Sequence, residues 1–191
     1  MPEILKAHIQ KLIEIDEEEL SSVLSYFHPL EVKKKQNLLT EDQTCQFNYF
    51  VANGCLRMFF INRKDQEQTV QFAIENWWLS DYTSFSTQKP AGFYIQAVEA
   101  SSLLTISLLK QEELLKQHPV MERYFRLIHQ RVHAASQFRI KMRYDLSRED
   151  LYHDFIKRHP GFVQRIPQYL LASYLGFSAE YLSEIRSKKR S

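Results

Sequence analysis

The sequence predicts an α+β chain: an N-terminal β roll of jelly-roll type, one long helix suited to pairing with a second copy, and a C-terminal helix-turn-helix without an evident wing. Three observations carry this. Short stretches rich in aromatic and β-branched residues, separated by turn signals, run from about Pro29 to Ser107. A segment free of Gly and Pro then runs from Val120 to about Arg143 with apolar residues at three-and-four spacing. Finally, two short amphipathic stretches flank a glycine near the C-terminus.

Taken in order, residues 3–13 and 17–27 read as two short helices, with Asp16 and Glu19 in the relation of a capping box and Leu20, Val23, Leu24 and Phe27 along one face. After Pro29 strands are expected at 32–34, 38–40, 47–52, 55–61, 68–74, 94–98 and 103–107. The clearest hairpin joins 47–52 to 55–61 through Asn53-Gly54, a pair favoured where both turn residues take positive φ. Another turn falls at Arg63-Lys64-Asp65. Lys33-Lys34-Lys35 reads as a solvated edge that discourages strand pairing. Trp77 and Trp78 with Phe72, Phe85 and Tyr94 suit either a ligand pocket or a roll's core, and aromatics at this density favour the core.

Residues 108–117 form a short helix that stops before His118-Pro119, and the long helix comes next. Its positions Met121, Phe125, Ile128, Val132, Ala135 and Met142 make a seam, broken by Arg139, while Arg123, Arg126, Gln130, Arg131 and Lys141 claim solvent on the other side. Such a seam asks for a two-fold partner helix. Residues 148–158 make another helix, with Leu151, Tyr152, Phe155 and Ile156 inward as a floor for the C-terminal helix pair, and His159-Pro160-Gly161 stops it.

In the last stretch Leu171, Leu175, Leu182 and Ile185 let two helices share one buried face. Gly176 supplies the turn residue at positive φ, Ala172 lets the helices cross closely, and Phe177 fills the corner. Pro167 suits the first helical position and Ser178 the N-cap of the second helix. A hairpin that merely packs against other helices is the competing reading. The number of separate requirements met favours a DNA-binding hairpin, with Arg186, Lys188, Lys189 and Arg190 placed to meet phosphates.

Charge agrees with that placement. Residues 139–191 hold eleven Lys or Arg against six Asp or Glu, and residues 1–138 hold fourteen against seventeen, so a polyanion would meet only the C-terminal part. Cys45 and Cys55 are too few for a zinc ribbon or a four-thiolate cluster within one chain and fit a reducing compartment. The start of the chain lacks a signal peptide's apolar core, and nowhere do eighteen apolar residues run together, so a cytoplasmic protein without a membrane partner is expected. His129 and His133 stand four apart but have no third ligand nearby, and no histidine lies between His28 and His118, where a metal-dependent cupin enzyme would need them. No cofactor, metal or catalytic residue is expected.

Helical N-terminus, β roll, long helix and helix-turn-helix, in that order, resemble the Crp/Fnr family of bacterial transcription regulators. The most specific part is Ile-Pro-Gln-Tyr-Leu-Leu-Ala-Ser-Tyr-Leu-Gly-Phe-Ser-Ala-Glu-Tyr-Leu-Ser-Glu-Ile-Arg, residues 166–186. The resemblance implies a cyclic-nucleotide-binding-like sensor domain at 1–119, a dimerisation helix at 120–143 and a DNA-binding domain at 144–191. Its implied partners are double-stranded DNA, a second copy of the chain, a small-molecule effector of unknown identity and, as a candidate, RNA polymerase. The DNA contacts it implies fall on Gln168, Tyr169, Ser178, Ala179, Glu180, Ser183, Glu184, Arg186, Lys188 and Lys189. Pairing would use Phe125, Ile128, Val132, Ala135 and Met142.

A ligand cassette is implied around Ser80, Asp81, Ser84 and Lys89, and there the sequence departs from cyclic-nucleotide binders. They carry Phe-Gly-Glu and then an Arg followed by Ser, Thr or Ala, whereas this chain has Leu79-Ser80-Asp81 and Ala91-Gly92. Lys89 is the only cation between Glu75 and Ala100, and a lysine lacks the bidentate fork. Altered or lost cyclic-nucleotide sensing is therefore expected. In the second helix Glu180 matches a glutamate that the family uses on cytosine, while Ala179 and Glu184 replace arginines found in many members. Two functions stay open: a DNA-binding regulator, and a signalling or scaffold protein that has such a roll but does not bind DNA.

Overall fold

The computed structural model describes the backbone of residues 1–188, with side chains described through Ser187. The order is α1 (Pro2–Gln10), α2 (Glu17–Leu24), β1 (His28–Val32), β2 (Asn37–Leu39), β3 (Phe47–Asn53), β4 (Leu56–Ile61), β5 (Glu67–Ala73), β6 (Trp78–Leu79), α3 (Tyr82–Thr87), β7 (Tyr94–Ala97), β8 (Ser101–Ser107), α4 (Leu108–Gln117), α5 (Val120–Asp145), α6 (Arg148–Arg158), α7 (Pro160–Arg165), α8 (Gln168–Leu175) and α9 (Ala179–Lys188). Two compact units divide the chain. The first takes residues 1–60 and 71–130; the second takes 61–70, the tip of the β4–β5 hairpin, with 131–191.

In the first unit the strands form an antiparallel roll of two sheets, ordered β1-β8-β3-β6 and β2-β7-β4-β5. This overturns the expected β3–β4 hairpin, since β3 pairs with β8 and β6 while β4 pairs with β7. Asn53-Gly54 is a corner between sheets. Only Gly54 takes positive φ there (+105°), and a Cβ on it would lie 2.2 Å from Ser101 Oγ, so glycine is required by contact as well as by conformation. The Asn-Gly signal misleads because β3 is a central strand buried on both faces, and its apolar run satisfies two sheet neighbours rather than one hairpin partner. The first strand also starts earlier than the expected 32–34: Pro29 sits inside β1, an edge strand where a missing N–H is tolerated.

Alternation along the strands builds two cores. Inward residues Leu39, Tyr49, Val51, Leu56, Ala73, Leu79, Phe85, Ile95 and Leu103 fill the roll. On the other face of β3 and β6, Phe50 and Trp78 meet at 5.2 Å between ring centroids and are joined by Phe27 and Phe125. The aromatics Trp77, Trp78, Phe72, Phe85 and Tyr94 therefore do not converge: Phe85 enters the first core, Trp78 the second, and Trp77 is half exposed.

A buried polar knot holds the second core. Tyr124, fully buried, accepts the Trp78 indole N–H at 2.9 Å and lies 2.8 Å from His8 Nδ1, which a neutral imidazole lets it satisfy as donor. Burial pushes the Tyr124 phenol well above its usual range. Near α3 the same effect raises Tyr82 to about 12. Three helices start on side-chain caps of the expected kind, Asp16 accepting from Glu19 N, Ser107 from Lys110 N and Ser147 from Asp150 N.

In the second unit, Tyr152, Ile166, Leu170, Leu171, Ala172, Leu175, Leu182 and Ile185 form the buried centre of α6–α9. Phe155 of α6 packs on Tyr174 of α8 at 5.7 Å, as the floor reading requires. Helix α7, absent from the sequence reading, begins with Pro160: the proline that stops α6 is also well placed to start the next helix. No helix among the described residues is long and apolar enough to cross a membrane.

Candidate nucleic-acid interface and ligand cassette

Helix α8 ends in a left-handed Gly176 (φ +82°), and Phe177 N closes back on Ala172 O at 2.9 Å, a Schellman-like stop. Ser178 then caps α9, its Oγ accepting from Tyr181 N at 3.2 Å, and Phe177 packs edge-on to Tyr181. Pro167 sits at the N-cap of α8 rather than at its first turn position, so Gln168 opens the helix. Leu171, Leu175, Leu182 and Ile185 are buried as their spacing demands, and Ala172 is 1 % exposed between the two helices.

This packing turns the other face outward. Ser178, Ala179, Glu180, Ser183, Glu184 and Arg186 are exposed, as is Tyr169 at the start of α8. A concavity of about 360 Å³ opens between the start of α8 and the face of α9, lined by Gln168, Ala179, Leu182, Ser183, Arg186 and Ser187. Gln168 lines it while its Oε1 is buried without a hydrogen-bond partner. The Glu180 carboxyl is held below the usual carboxylate range by its own backbone N–H and by the Ser178 hydroxyl. The side chain of Lys188, and Lys189 and Arg190, lie outside the described residues.

The ligand cassette is brought together, but its polar atoms are spent inside the fold. Asp81, 4 % exposed, caps α3 by accepting from Ser84 N at 3.1 Å and closes the loop by accepting from Gly92 N at 3.2 Å. The Ser84 hydroxyl accepts from Cys45 N at 2.9 Å and donates to Lys89 O at 2.5 Å, and Ser80 donates to Phe47 O at 3.2 Å. Burial pushes the Cys45 thiol up, which makes it an inert filler there. Lys89 is exposed. Sequence reasoning missed α3 because Tyr-Thr-Ser-Phe-Ser-Thr has poor helix propensity; the Asp81 cap supplies what propensity does not.

A buried arginine was also missed. Arg57 of β4 is 3 % exposed, donates from Nε and Nη2 to Gln96 Oε1 at 3.0 and 2.7 Å, and covers the Phe59 ring at 3.9 Å. Its signal was a lone charge inside the run Leu56-Arg57-Met58-Phe59. Strand alternation sets it on the face opposite Leu56, which belongs to the roll's interior, so it does not supply the missing cassette arginine.

Of the residues expected to pair two copies, Phe125 (4 % exposed) and Ile128 (7 %) are buried against their own unit. Val132 and Met142 are partly covered and Ala135 is exposed. The second half of α5 instead shows water Phe138, Ile140 and Tyr144, at 44, 55 and 90 % exposure. Sequence periodicity cannot tell a helix face that meets its own roll from one that meets a second copy. Of the two spaced histidines, both exposed, His129 sets its ring edge against Tyr82 at 4.8 Å; no group of metal-ligating side chains occurs among the described residues.

A roll of this topology, its α3-containing loop and a helix-turn-helix after a long helix define a two-unit α+β fold. Residues 29–118 match the family model of the cyclic nucleotide-binding domain. Over most of its length the chain has the fold of several solved transcription regulators. It is similar to the catabolite activator protein of Thermus thermophilus (20 % identity, TM-score 0.56, 91 % of this chain and 83 % of that one). The same fold recurs in CLP of Xanthomonas campestris, described as a c-di-GMP-responsive global regulator (14 %, TM-score 0.70, 92 % of both chains). FixK2 of Bradyrhizobium japonicum matches at 12 % identity and TM-score 0.71, over 85 % of this chain and 83 % of that one. Among curated proteins, none matches the sequence.

Proposed function

We propose that this chain is a DNA-binding transcription regulator that acts as a homodimer on pseudo-palindromic DNA. The observation that carries the reading is the α8–α9 hairpin: its apolar face is buried, its turn is built on a left-handed glycine, and its outer face is exposed from Ser178 to Ser187 with polar and charged side chains at helical spacing. A hairpin that served only packing would have no need to keep such a face clear. The pairing surface falls on the second half of α5, where Ile140 and Tyr144, one turn apart on one face, stand in water and a symmetric partner helix would cover them.

Sensing in this reading departs from cyclic nucleotides. Bringing a phosphate anion into a roll strips its water, which a paired arginine and backbone N–H groups normally offset. Here the Gly92 N–H already donates to Asp81, and the only cassette cation, Lys89, stands in solvent. An uncharged or differently shaped effector fits better than a cyclic nucleotide.

The reading is tested by fluorescence anisotropy of labelled random-sequence duplex DNA across a salt series. A regulator that displaces counterions loses affinity steeply as salt rises. Absence of binding at low salt would favour the scaffold reading instead.

A further inference from the structure

Strand β5 is an edge strand, so every second residue points an N–H and a C=O away from the sheet with no strand to receive them. In the second unit these groups meet one side chain of α8. The Ser173 hydroxyl accepts from Thr69 N at 2.8 Å and donates to Glu67 O at 2.7 Å. Glu67 and Thr69 are two residues apart, on the same side of the strand, so a single hydroxyl offers the donor and the acceptor that a neighbouring strand would offer. Around it, the Gln68 side-chain amide donates to Ser173 O, and Arg139 of α5 donates to Val70 O and, at 3.2 Å, to Tyr174 Oη. Arg143 donates to Tyr174 O at 2.9 Å. Every one of these residues lies in the second unit.

We propose that the β5 edge is a brace for the helix-turn-helix, and that Ser173 is a positioning residue which sets DNA affinity without touching DNA. Two features point this way. Ser173 and Tyr174 lie in the last turn of α8, away from the exposed residues of α9, so the grip leaves that outer face clear. The same grip fixes α8 from two sides, by hairpin backbone and by two arginines of α5, and α9 shares its buried face with α8. A helix pair held this way enters a groove with less orientational freedom to lose on binding. This inference rests on the DNA-binding reading above, but its first test does not.

The test uses the full-length protein. Hydrogen exchange by mass spectrometry over residues 66–72 should show Thr69 exchanging about 10-fold faster in Ser173→Ala, with Ser173→Thr, which keeps the hydroxyl, close to wild type. Exchange unchanged in Ser173→Ala overturns the brace. For DNA, the probe is a duplex recovered by selection from random sequence: Ser173→Ala should bind it roughly 3- to 10-fold more weakly, the worth of one hydrogen bond, with Ser173→Thr restoring affinity. Faster exchange with unchanged affinity for that duplex removes the positioning role. If wild type itself recovers no sequence, the regulator reading has failed and the exchange comparison alone decides the brace.

Discussion

Gly54→Ala separates two ways of building the turn after β3. In an Asn-Gly hairpin an alanine at the second turn position costs about 1 kcal/mol, the strain of one left-handed residue. The sheet corner is less forgiving. At φ +105° the new Cβ would lie 2.2 Å from Ser101 Oγ, 2.5 Å from its Cβ and 2.8 Å from its Cα, and the Cα is backbone that no rotamer change can move. Shifting Ser101 would break its bond from Cys55 N at 3.1 Å and disturb the first residue of β8, paired with Val32. Backbone strain and overpacking of roughly 1–3 kcal/mol each, with about 1 kcal/mol for the hydrogen bond, place the loss at roughly 3–7 kcal/mol. That is a large share of a typical domain's stability. Urea denaturation followed by tryptophan fluorescence measures it cleanly, because both tryptophans, Trp77 and Trp78, belong to the first unit. Adding Ser101→Gly should recover part of the loss by removing two of the three overlaps. A Gly54→Ala protein within about 1 kcal/mol of wild type, as the hairpin value allows, would refute the corner.

Further outcomes concern the roll and its helices. Tyr124→Phe strands the Trp78 N–H and His8 Nδ1 in the second core and should cost roughly 2–4 kcal/mol in the same denaturation assay; a neutral change would mean that water replaces the hydroxyl. Partial desolvation of its ring beside Tyr82 lowers the pKa of His129, so its contribution is fully present above the unfolded value of about 6.5 and is lost as pH falls through the depressed folded value. An NMR titration placing the His129 pKa above 6.5 would contradict this. Calorimetry with cyclic AMP and cyclic GMP should show no binding at micromolar levels, and Asp81→Ala should cost about 1 kcal/mol of stability as a lost cap; micromolar binding by either nucleotide would overturn the cassette argument.

The hairpin of α8 and α9 was legible because it is local: Ala172, Gly176, Ser178 and the four apolar positions fall within one stretch of fifteen residues, where side-chain size and φ decide alone. The roll was legible as a class but not as a pairing. Which strands lie beside β3 depends on residues about thirty positions away in β6 and about fifty to sixty away in β8, and Asn53-Gly54 looks the same at a corner as in a hairpin. For the same reason the sequence named Ser80, Asp81 and Ser84 as a ligand set but could not show that Gly92, Cys45 and Lys89 already satisfy them. Phe125 and Ile128 were assigned to a partner copy because periodicity gives a face and not what the face meets. Ser173 was invisible altogether, since its role exists only once an unpaired strand edge arrives beside it.

The central claim is that the exposed face of α9 reads DNA in a symmetric pair. Selection of binding sites from random duplex DNA with the purified full-length protein tests it most directly. The expected result is enrichment of a pseudo-palindrome whose half-sites lie about one helical turn, roughly 34 Å, or a multiple apart. Substituting Glu180→Ala should change preference at one position of each half-site while leaving the salt dependence of binding intact. Enrichment of no sequence at any salt concentration, or of a single asymmetric half-site by a monomer, would contradict it.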